Sequence, residues 1–139
     1  MLAAMILGAD GVQMGTRFVA CKESSAHENF KNMVLKAKEG DTRLTLKEIT
    51  PVRMMKNKFY KEVEELYKSS PSKEQLLNKL GKGRAKLGMF EGDLEAGELE
   101  IGQASSQINR VFTAQEIVQQ IMTEFNSIKS QMSIANKFN

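Results

Sequence analysis

Residues 8–18 have the sequence GADGVQMGTRF, from which the fold class follows. Val12 and Met14 lie in a short run that predicts a buried strand. Gly15 and Thr16 end this run, and a helix is predicted to begin near Arg17. The order of strand, turn and helix indicates one βα unit of an α/β fold. A single unit cannot form a stable sheet, so we expect neighbouring strands that this chain does not encode.

The turn of this unit has the parts of a phosphate-binding site. Gly15 allows backbone N–H groups to approach a ligand closely, and Thr16 offers a hydroxyl. The helix that follows directs its positive end at the turn. A strand followed by Gly-Thr is nevertheless more often an ordinary βα turn, so the spacing alone does not identify a ligand.

The chain opens on a helical pattern that has no N-terminal cap. Leu2, Met5 and Ile6 lie at helical spacing and run into Gly8, which predicts a helix that ends there. Because no capping residue precedes this helix, we expect that part of the protein lies upstream of Met1.

Composition predicts a globular chain with an ordinary core, since 41% of its 139 residues are apolar. The 20 basic and 17 acidic residues are spread along the chain, which argues against nucleic-acid binding. No apolar run approaches the roughly 20 residues needed to cross a bilayer. The single cysteine, Cys21, is predicted to be buried, and it excludes an intramolecular disulfide and a metal site built from several thiolates. These features favour a cytoplasmic protein.

After residue 24 the pattern predicts mostly helices, so the chain divides into an α/β part, residues 1–24, and a helical cap with C-terminal helices, residues 25–139. A capping box at residues 25–28 predicts a helix that closes at Gly40. Residues 41–49 are predicted as a short strand or an extended connector, and the tail after Ser133 is expected to fray. The other predicted helices are residues 52–67, residues 71–80 with Pro71 at the first position and Gly81 at the end, residues 85–90, and residues 113–132 after a capping box at Thr113 and Glu116.

Residues 8–18 closely resemble the last barrel strand of the family that contains nitronate monooxygenases (2-nitropropane dioxygenases) and flavin-dependent enoyl-acyl-carrier-protein reductases. The resemblance implies an α/β fold, the last βα unit of a TIM (β/α)8 barrel followed by a mostly α-helical cap and tail, with this chain alone predominantly helical. One departure is Ile49-Thr50 before Pro51, where the family usually has glycine and histidine. Further matches follow the order and spacing of the reductase branch: Lys22-Glu23-Ser24, His27 with Asn29, Lys36-Ala37-Lys38, Asp41-Thr42, Pro51-Val52-Arg53, Lys56-Asn57, Glu91-Gly92-Asp93 and Gly102-Gln103.

The resemblance also implies FMN as the cofactor, with its phosphate held at the C-terminal ends of the barrel strands. Backbone N–H groups of Met14, Gly15 and Thr16 would donate to the phosphate, Gln13 would line the neighbouring pocket, and Gln103 would approach the flavin from the cap. In the reductase branch, hydride passes from NAD(P)H to FMN and then to an enoyl thioester on an acyl carrier protein, a step of fatty acid synthesis. In the other branch, an alkyl nitronate is oxidised with oxygen.

No catalytic residue is predicted in this chain, because the catalytic histidine of the family and its glycine-rich loop would lie upstream of Met1. His27 lies at a helix start without an acid or nucleophile partner, so we expect a structural role for it. Three functions stay open: part of a flavoenzyme completed by its missing barrel half or by a second copy, a helical interaction module, and an inert remnant. A homo-oligomer is expected, because an incomplete barrel favours self-association or strand exchange over a monomer.

Overall fold

The computed structural model describes residues 1–134. About half of these residues lie in helices, so helix is the main regular structure, as predicted. A π-helical turn covers Lys86–Phe90, and a 3₁₀ turn covers Gln103–Gln107. The predicted fraying beyond Ser133 concerns residues 135–139, which lie outside the described residues. The helices and strands in chain order are α1 Leu2–Ile6, α2 Thr16–Val19, α3 Glu28–Leu35, β1 Thr42–Thr45, β2 Val52–Met55, α4 Lys58–Tyr67, α5 Lys73–Leu80 and α6 Ala114–Ile134.

The hairpin of β1 and β2 is antiparallel, and it confirms the extended segment predicted after residue 40. Residues 99–101 lie along the other side of β2. The backbone N–H of Met55 donates to the carbonyl of Leu99 (2.9 Å), and that of Ile101 donates to the carbonyl of Arg53 (3.0 Å). Strand β2 is therefore hydrogen-bonded along both of its edges and lies at the centre of the fold.

Two apolar cores lie on opposite sides of β2, because successive side chains of a strand point to opposite faces. Met55 packs into one core and Met54 into the other, and both side chains are buried. The first core also contains Ala20, Ala26, Phe30, Val34, Leu99, Ile101 and Ile108, and the second contains Leu46, Phe59, Tyr60, Val63 and Leu76.

The strand predicted around Val12 and Met14 is not formed. Val12 is 39% exposed, and none of the strands in residues 1–134 lies beside this segment. A parallel strand depends on its neighbours for its backbone hydrogen bonds, so the segment has none of the bonds that would make it a strand. Helix α1 does end before Gly8, whose φ is +98°, as predicted.

The prediction of one helix over residues 52–67 is wrong for the residues before Lys58. Val52–Met55 form β2, and α4 begins only at Lys58. Asn57 is the N-cap of α4, since its side-chain oxygen accepts from the backbone N–H of Tyr60 at 2.9 Å. Strand pairing on both sides of β2 outweighed the helical spacing of its apolar residues.

The capping box predicted at residues 25–28 is also wrong. The N-cap of α3 is His27, whose Nδ1 accepts from the backbone N–H of Asn29 at 3.1 Å. Helix α3 ends earlier than predicted, at Leu35. Beyond this end, the backbone N–H of Lys38 donates to the carboxylate of Asp41 (2.8 Å) and not to a helical carbonyl.

Pro71 precedes α5 and is not its first residue. Ser72 is the N-cap, and its capping box with Gln75 satisfies two backbone N–H groups that the first turn leaves without helical partners. The predicted stop at Gly81 is confirmed, with φ at +68°.

Three predictions near the C-terminus and at the cysteine are confirmed. The capping box of α6 is present, with the backbone N–H of Glu116 donating to Thr113 Oγ1 (3.1 Å) and that of Thr113 donating to Glu116 Oε2 (2.7 Å). The brief helix predicted at residues 85–90 is the π-helical turn. The Cys21 thiol is buried.

No helix in residues 1–134 is long and apolar enough to cross a membrane. Within the same residues, no three side chains of histidine, cysteine, aspartate or glutamate come together as a metal site would require.

Close glycine packing joins the π-helical turn to the segment before residue 99. A Cβ atom added at Gly97 would overlap the backbone of Gly88, and it would lie 2.5 Å from the carbonyl oxygen of Asp93. These atoms are backbone atoms, which cannot rotate away as a flexible side chain can. Only glycine at residue 97 therefore allows the two segments to touch.

We predict that Gly97→Ala lowers the free energy of unfolding by about 1–3 kcal/mol, because the added methyl group forces the two backbones apart. Urea unfolding followed by circular dichroism measures this change. Gly11→Ala is the matched control, since nothing lies within 4 Å of a Cβ at Gly11, and its effect should stay within about 0.5 kcal/mol. Equal stability of both variants would contradict the close packing.

Glu98 is a buried acid beside this contact, with only 7% of its surface exposed. Burial raises the pKa of Glu98 to about 7; the Glu100 carboxylate adds to the rise, and the Arg84 guanidinium opposes it. The folded chain therefore holds the Glu98 proton more tightly than the unfolded chain does.

The bound proton of Glu98 therefore contributes to the free energy of unfolding. This contribution is fully present below the unfolded pKa of 4.5, and it is lost as pH rises through about 7. Gln cannot titrate, so Glu98→Gln removes this loss. Relative to the parent, the free energy of unfolding of the variant should rise by about 1–2 kcal/mol as the pH increases from about 4 to about 8. Urea unfolding of both proteins at several pH values measures the difference. A difference that does not change with pH would show that Glu98 does not titrate in this range.

Candidate functional site

The turn predicted to bind phosphate is open to solvent. Gln13 and Gly15 are exposed, whereas Met14 and Thr16 are partly buried. Gly15 is the N-cap of α2, with φ at −91° and ψ at −64°, and nothing lies within 4 Å of where its Cβ would be. A ligand atom could therefore reach the backbone at this turn without moving any neighbour.

The backbone N–H groups of the turn are available to a ligand. The carbonyl of Gly15 accepts from the N–H groups of Phe18 and Val19, both at 3.0 Å. Within residues 1–134, the N–H groups of Met14, Gly15 and Thr16 have no protein acceptor. N–H groups without acceptors at a helix start can donate to an anion, and α2 is only 4 residues long.

A long-range hydrogen bond attaches the turn to the cap. The backbone N–H of Gly102 donates to Thr16 Oγ1 at 3.1 Å, across 86 residues of sequence. A Cβ at Gly102 would lie 2.5 Å from the same oxygen, so a larger residue could not approach Thr16 as closely. The bond leaves the hydroxyl proton of Thr16 free to donate to a ligand.

Gln103 follows Gly102 and is thereby held on the cap side of the turn. It is exposed and lines a cavity of about 340 Å³. Three basic side chains, Lys38, Arg43 and Arg53, line the same cavity. Arg53 is held in place, because its Nη1 donates to Thr42 Oγ1 at 3.2 Å and to the Thr42 carbonyl at 3.4 Å.

A second cavity, of about 330 Å³, lies between the turn and α6. Met14 and Arg17 line it from the turn, and Ile117 and Ile121 line it from the helix. The Arg17 guanidinium donates to the Arg110 carbonyl (3.4 Å) and lies 5.2 Å from the centre of the Phe112 ring, so this cation contacts the segment before α6.

His27 has the structural role that was predicted for it. Its backbone N–H donates to the Met89 carbonyl at 2.7 Å, and its ring caps α3. The ring also fills the space beside Gly92, where an added Cβ would overlap it. The ring nitrogen that caps α3 and the ring volume beside Gly92 give the histidine a structural role at this position.

Two contributors to the site were not predicted as such from sequence. Gly102 was recognised only as a position of resemblance, and the 86-residue separation from Thr16 leaves no local signal of their contact. The basic residues around Gln103 come from a loop and two strands, so no spacing rule groups them.

Comparisons with known proteins support one family. The sequence profile of nitronate monooxygenases matches residues 1–124. The chain is 31% identical over 136 residues to a probable nitronate monooxygenase of Staphylococcus saprophyticus, covering 94% of this chain and 37% of that protein. It is 30% identical over 123 residues to a probable nitronate monooxygenase of Bacillus subtilis, covering 88% of this chain and 35% of that protein.

Solved structures agree with the sequence comparisons. FabK from Thermotoga maritima superposes with a TM-score of 0.85 and 33% identity, covering 96% of this chain and 42% of the FabK chain. A mutant of the same protein gives a TM-score of 0.80 and 32% identity, covering 96% of this chain and 40% of the mutant chain. This chain thus spans less than half the length of these relatives.

The family profile covers most of the chain, and the folds superpose over nearly all of it. The predicted relationship and the partial barrel fold are confirmed, and the chain belongs to the nitronate monooxygenase family of flavin-dependent oxidoreductases.

Proposed function

We propose that this chain provides the FMN phosphate-binding turn of a flavin-dependent oxidoreductase. The backbone N–H groups of Met14, Gly15 and Thr16 donate to the phosphate, and Gln13 lines the neighbouring pocket. One observation carries this assignment: the three N–H groups have no protein acceptor within residues 1–134, and the space in front of Gly15 is open. A phosphate group fits such a turn, because it offers several acceptor oxygens to converging donors.

The cap contributes to the same site through Gln103. The hydrogen bond between Gly102 and Thr16 holds the start of the 3₁₀ turn beside the phosphate-binding turn. We place Gln103 toward the flavin, where a side-chain amide can donate to or accept from the ring. FMN, when bound, supplies the electron and hydride transfer.

Reduction of an enoyl thioester on an acyl carrier protein, with NAD(P)H as electron donor, is the reaction that we favour for the complete protein. The FabK structures support it, since they superpose over 96% of this chain. Oxidation of an alkyl nitronate with oxygen is the alternative, and the names of the curated relatives favour it.

We infer that this chain acts together with further polypeptide, either the remaining barrel or a second copy. Large apolar side chains at the end of α1 stay exposed: Ile6 is 60% exposed and Leu7 is 88% exposed. Exposed apolar side chains of this size mark surfaces that another chain segment covers. The chain alone is then not catalytic, and its division at residue 24, its homo-oligomeric state and its cytoplasmic location stay predictions.

FMN binding tests the proposal directly. The purified chain is incubated with FMN, excess flavin is removed by gel filtration, and the visible absorption spectrum and the mass in solution are recorded. Flavin retained near one per chain is the expected result for a turn that works in this chain or in its assembly. If neither the chain nor its complex with the remaining barrel retains flavin, the assignment of the turn is wrong.

We predict that Gly15→Val weakens FMN binding by at least about tenfold, because the valine side chain occupies the space through which the phosphate reaches the backbone. The φ of −91° at Gly15 accommodates valine without strain, so the loss is one of access. Flavin fluorescence titration gives both dissociation constants.

Gly11→Val is the matched control for this variant. Gly11 also has open space around its Cβ position and lies outside the turn, so its FMN affinity should equal that of the parent. If both valines weaken binding equally, the effect belongs to the whole segment and the assignment to Gly15 fails.

A further inference from the structure

A basic cleft of about 640 Å³ lies on the side of the chain formed by α3, α4 and the loop before residue 99. It shares no residue with the turn at residues 13–16 or with the cavity beside Gln103. Its lining is mostly polar, with lysine, asparagine and glutamate side chains and two large apolar ones.

Four lysines line this cleft, but only one carboxylate does. Lys36 follows α3, Lys56 follows β2, and Lys58 and Lys61 belong to α4, so distant parts of the chain bring these charges together. Glu95 is the single acidic residue of the lining. The chain as a whole has nearly equal numbers of basic and acidic residues, so the cleft is far more positive than the average surface.

The cleft lysines also lack the ion pairs that other lysines of the chain make. Among residues 1–134, salt bridges to glutamate involve Lys31, Lys68, Lys79 and Lys86, all outside the cleft. The four ammonium groups face one concave surface that holds a single carboxylate, so they repel each other. An anion with several charges would relieve this repulsion.

The floor of the cleft is rigid. Asn57 is 7% exposed, and its side-chain amide donates to the carbonyls of Leu94 and Gly97, both at 2.8 Å, and to that of Glu95 at 3.3 Å. The backbone N–H of Phe59 also donates to the Glu95 carbonyl (3.0 Å). These bonds hold the start of α4 against the opposite wall, so the cleft exists before any ligand binds.

The shape and lining of the cleft indicate the class of ligand. Its volume lies in the range of small-molecule sites, about 300–1,000 Å³, whereas an acidic protein would be expected to meet a flatter surface. Met33 and Leu94 are its only large apolar contacts, so the ligand is mostly polar. Lysine ammonium groups bind phosphate oxygens as compact point charges.

We propose that this cleft binds a small phosphate-bearing anion that carries more than two negative charges. Lys36, Lys56 and Lys61 neutralise the ligand from both walls, and the side-chain amide of Asn32 donates to it. This site goes beyond the proposed flavin function and does not depend on it, because the two sites have no residue in common.

Titration calorimetry of the chain with inorganic pyrophosphate tests the proposal, with sodium chloride adjusted to hold ionic strength at about 0.15 M. We expect saturable binding of one pyrophosphate per chain and weaker binding of monophosphate. The triple variant K36Q/K56Q/K61Q should weaken pyrophosphate binding by at least about tenfold.

The control is K47Q/K73Q/K82Q, which removes the same charge from three exposed lysines outside the cleft. This variant should bind pyrophosphate as the parent does. Equal loss in both variants would attribute binding to net charge and overturn the site. Absence of saturable binding up to about 5 mM pyrophosphate would overturn it as well.

Two further measurements separate anion binding from misfolding of the variant and from protein docking. Circular dichroism checks that the triple variant is folded. If the triple variant is not folded, the single variant K61Q replaces it, and K61Q should weaken pyrophosphate binding severalfold. An acidic peptide of polyglutamate is titrated in parallel. If the peptide binds the cleft and pyrophosphate does not displace it, the cleft is a protein-docking surface and the proposal is wrong.

Discussion

The backbone pairing of residues 99–101 with β2 is the interaction on which the rest of the structure depends. It bonds β2 on its second side, so that Met54 and Met55 can each be buried in a different core. The strand pair β1 and β2 alone would be marginal in water, because a two-stranded hairpin buries too little apolar surface. With the added segment, the hairpin becomes the element that holds the two cores together.

The same segment also determines the position of the candidate flavin site. Residues 94–97 are held by the amide of Asn57, residues 99–101 are held by β2, and Gly102 then reaches Thr16. The turn itself contributes only open backbone N–H groups and a hydroxyl. Its location relative to Gln103 follows from contacts between residues far apart in the sequence. Two of these contacts require glycine: Gly97 lies against the backbone of Gly88, and Gly102 lies against the side chain of Thr16.

Local signals predicted some elements well and others poorly. The capping box at Thr113 and the stop at Gly81 were predicted, because the hydrogen bonds of a cap and the positive φ of a glycine depend on a few adjacent residues. The apolar residues of 52–55 match a helix and a strand equally, and only pairing with distant segments decides between them. The prediction of a strand at residues 12–14 was wrong, because residues 1–134 contain no strand with which this segment pairs.

The sequence by itself determined the family, the helical character and the turn at Gly15, because each depends on residue identity in a short window or on a motif shared with relatives. The tertiary structure alone decided that β2 is a strand, that Gly102 binds Thr16, and that the lysines after α3 and β2 face one cleft. The physical reason is distance along the chain: hydrogen bonds and charges that meet across tens of residues leave no periodic trace in the sequence.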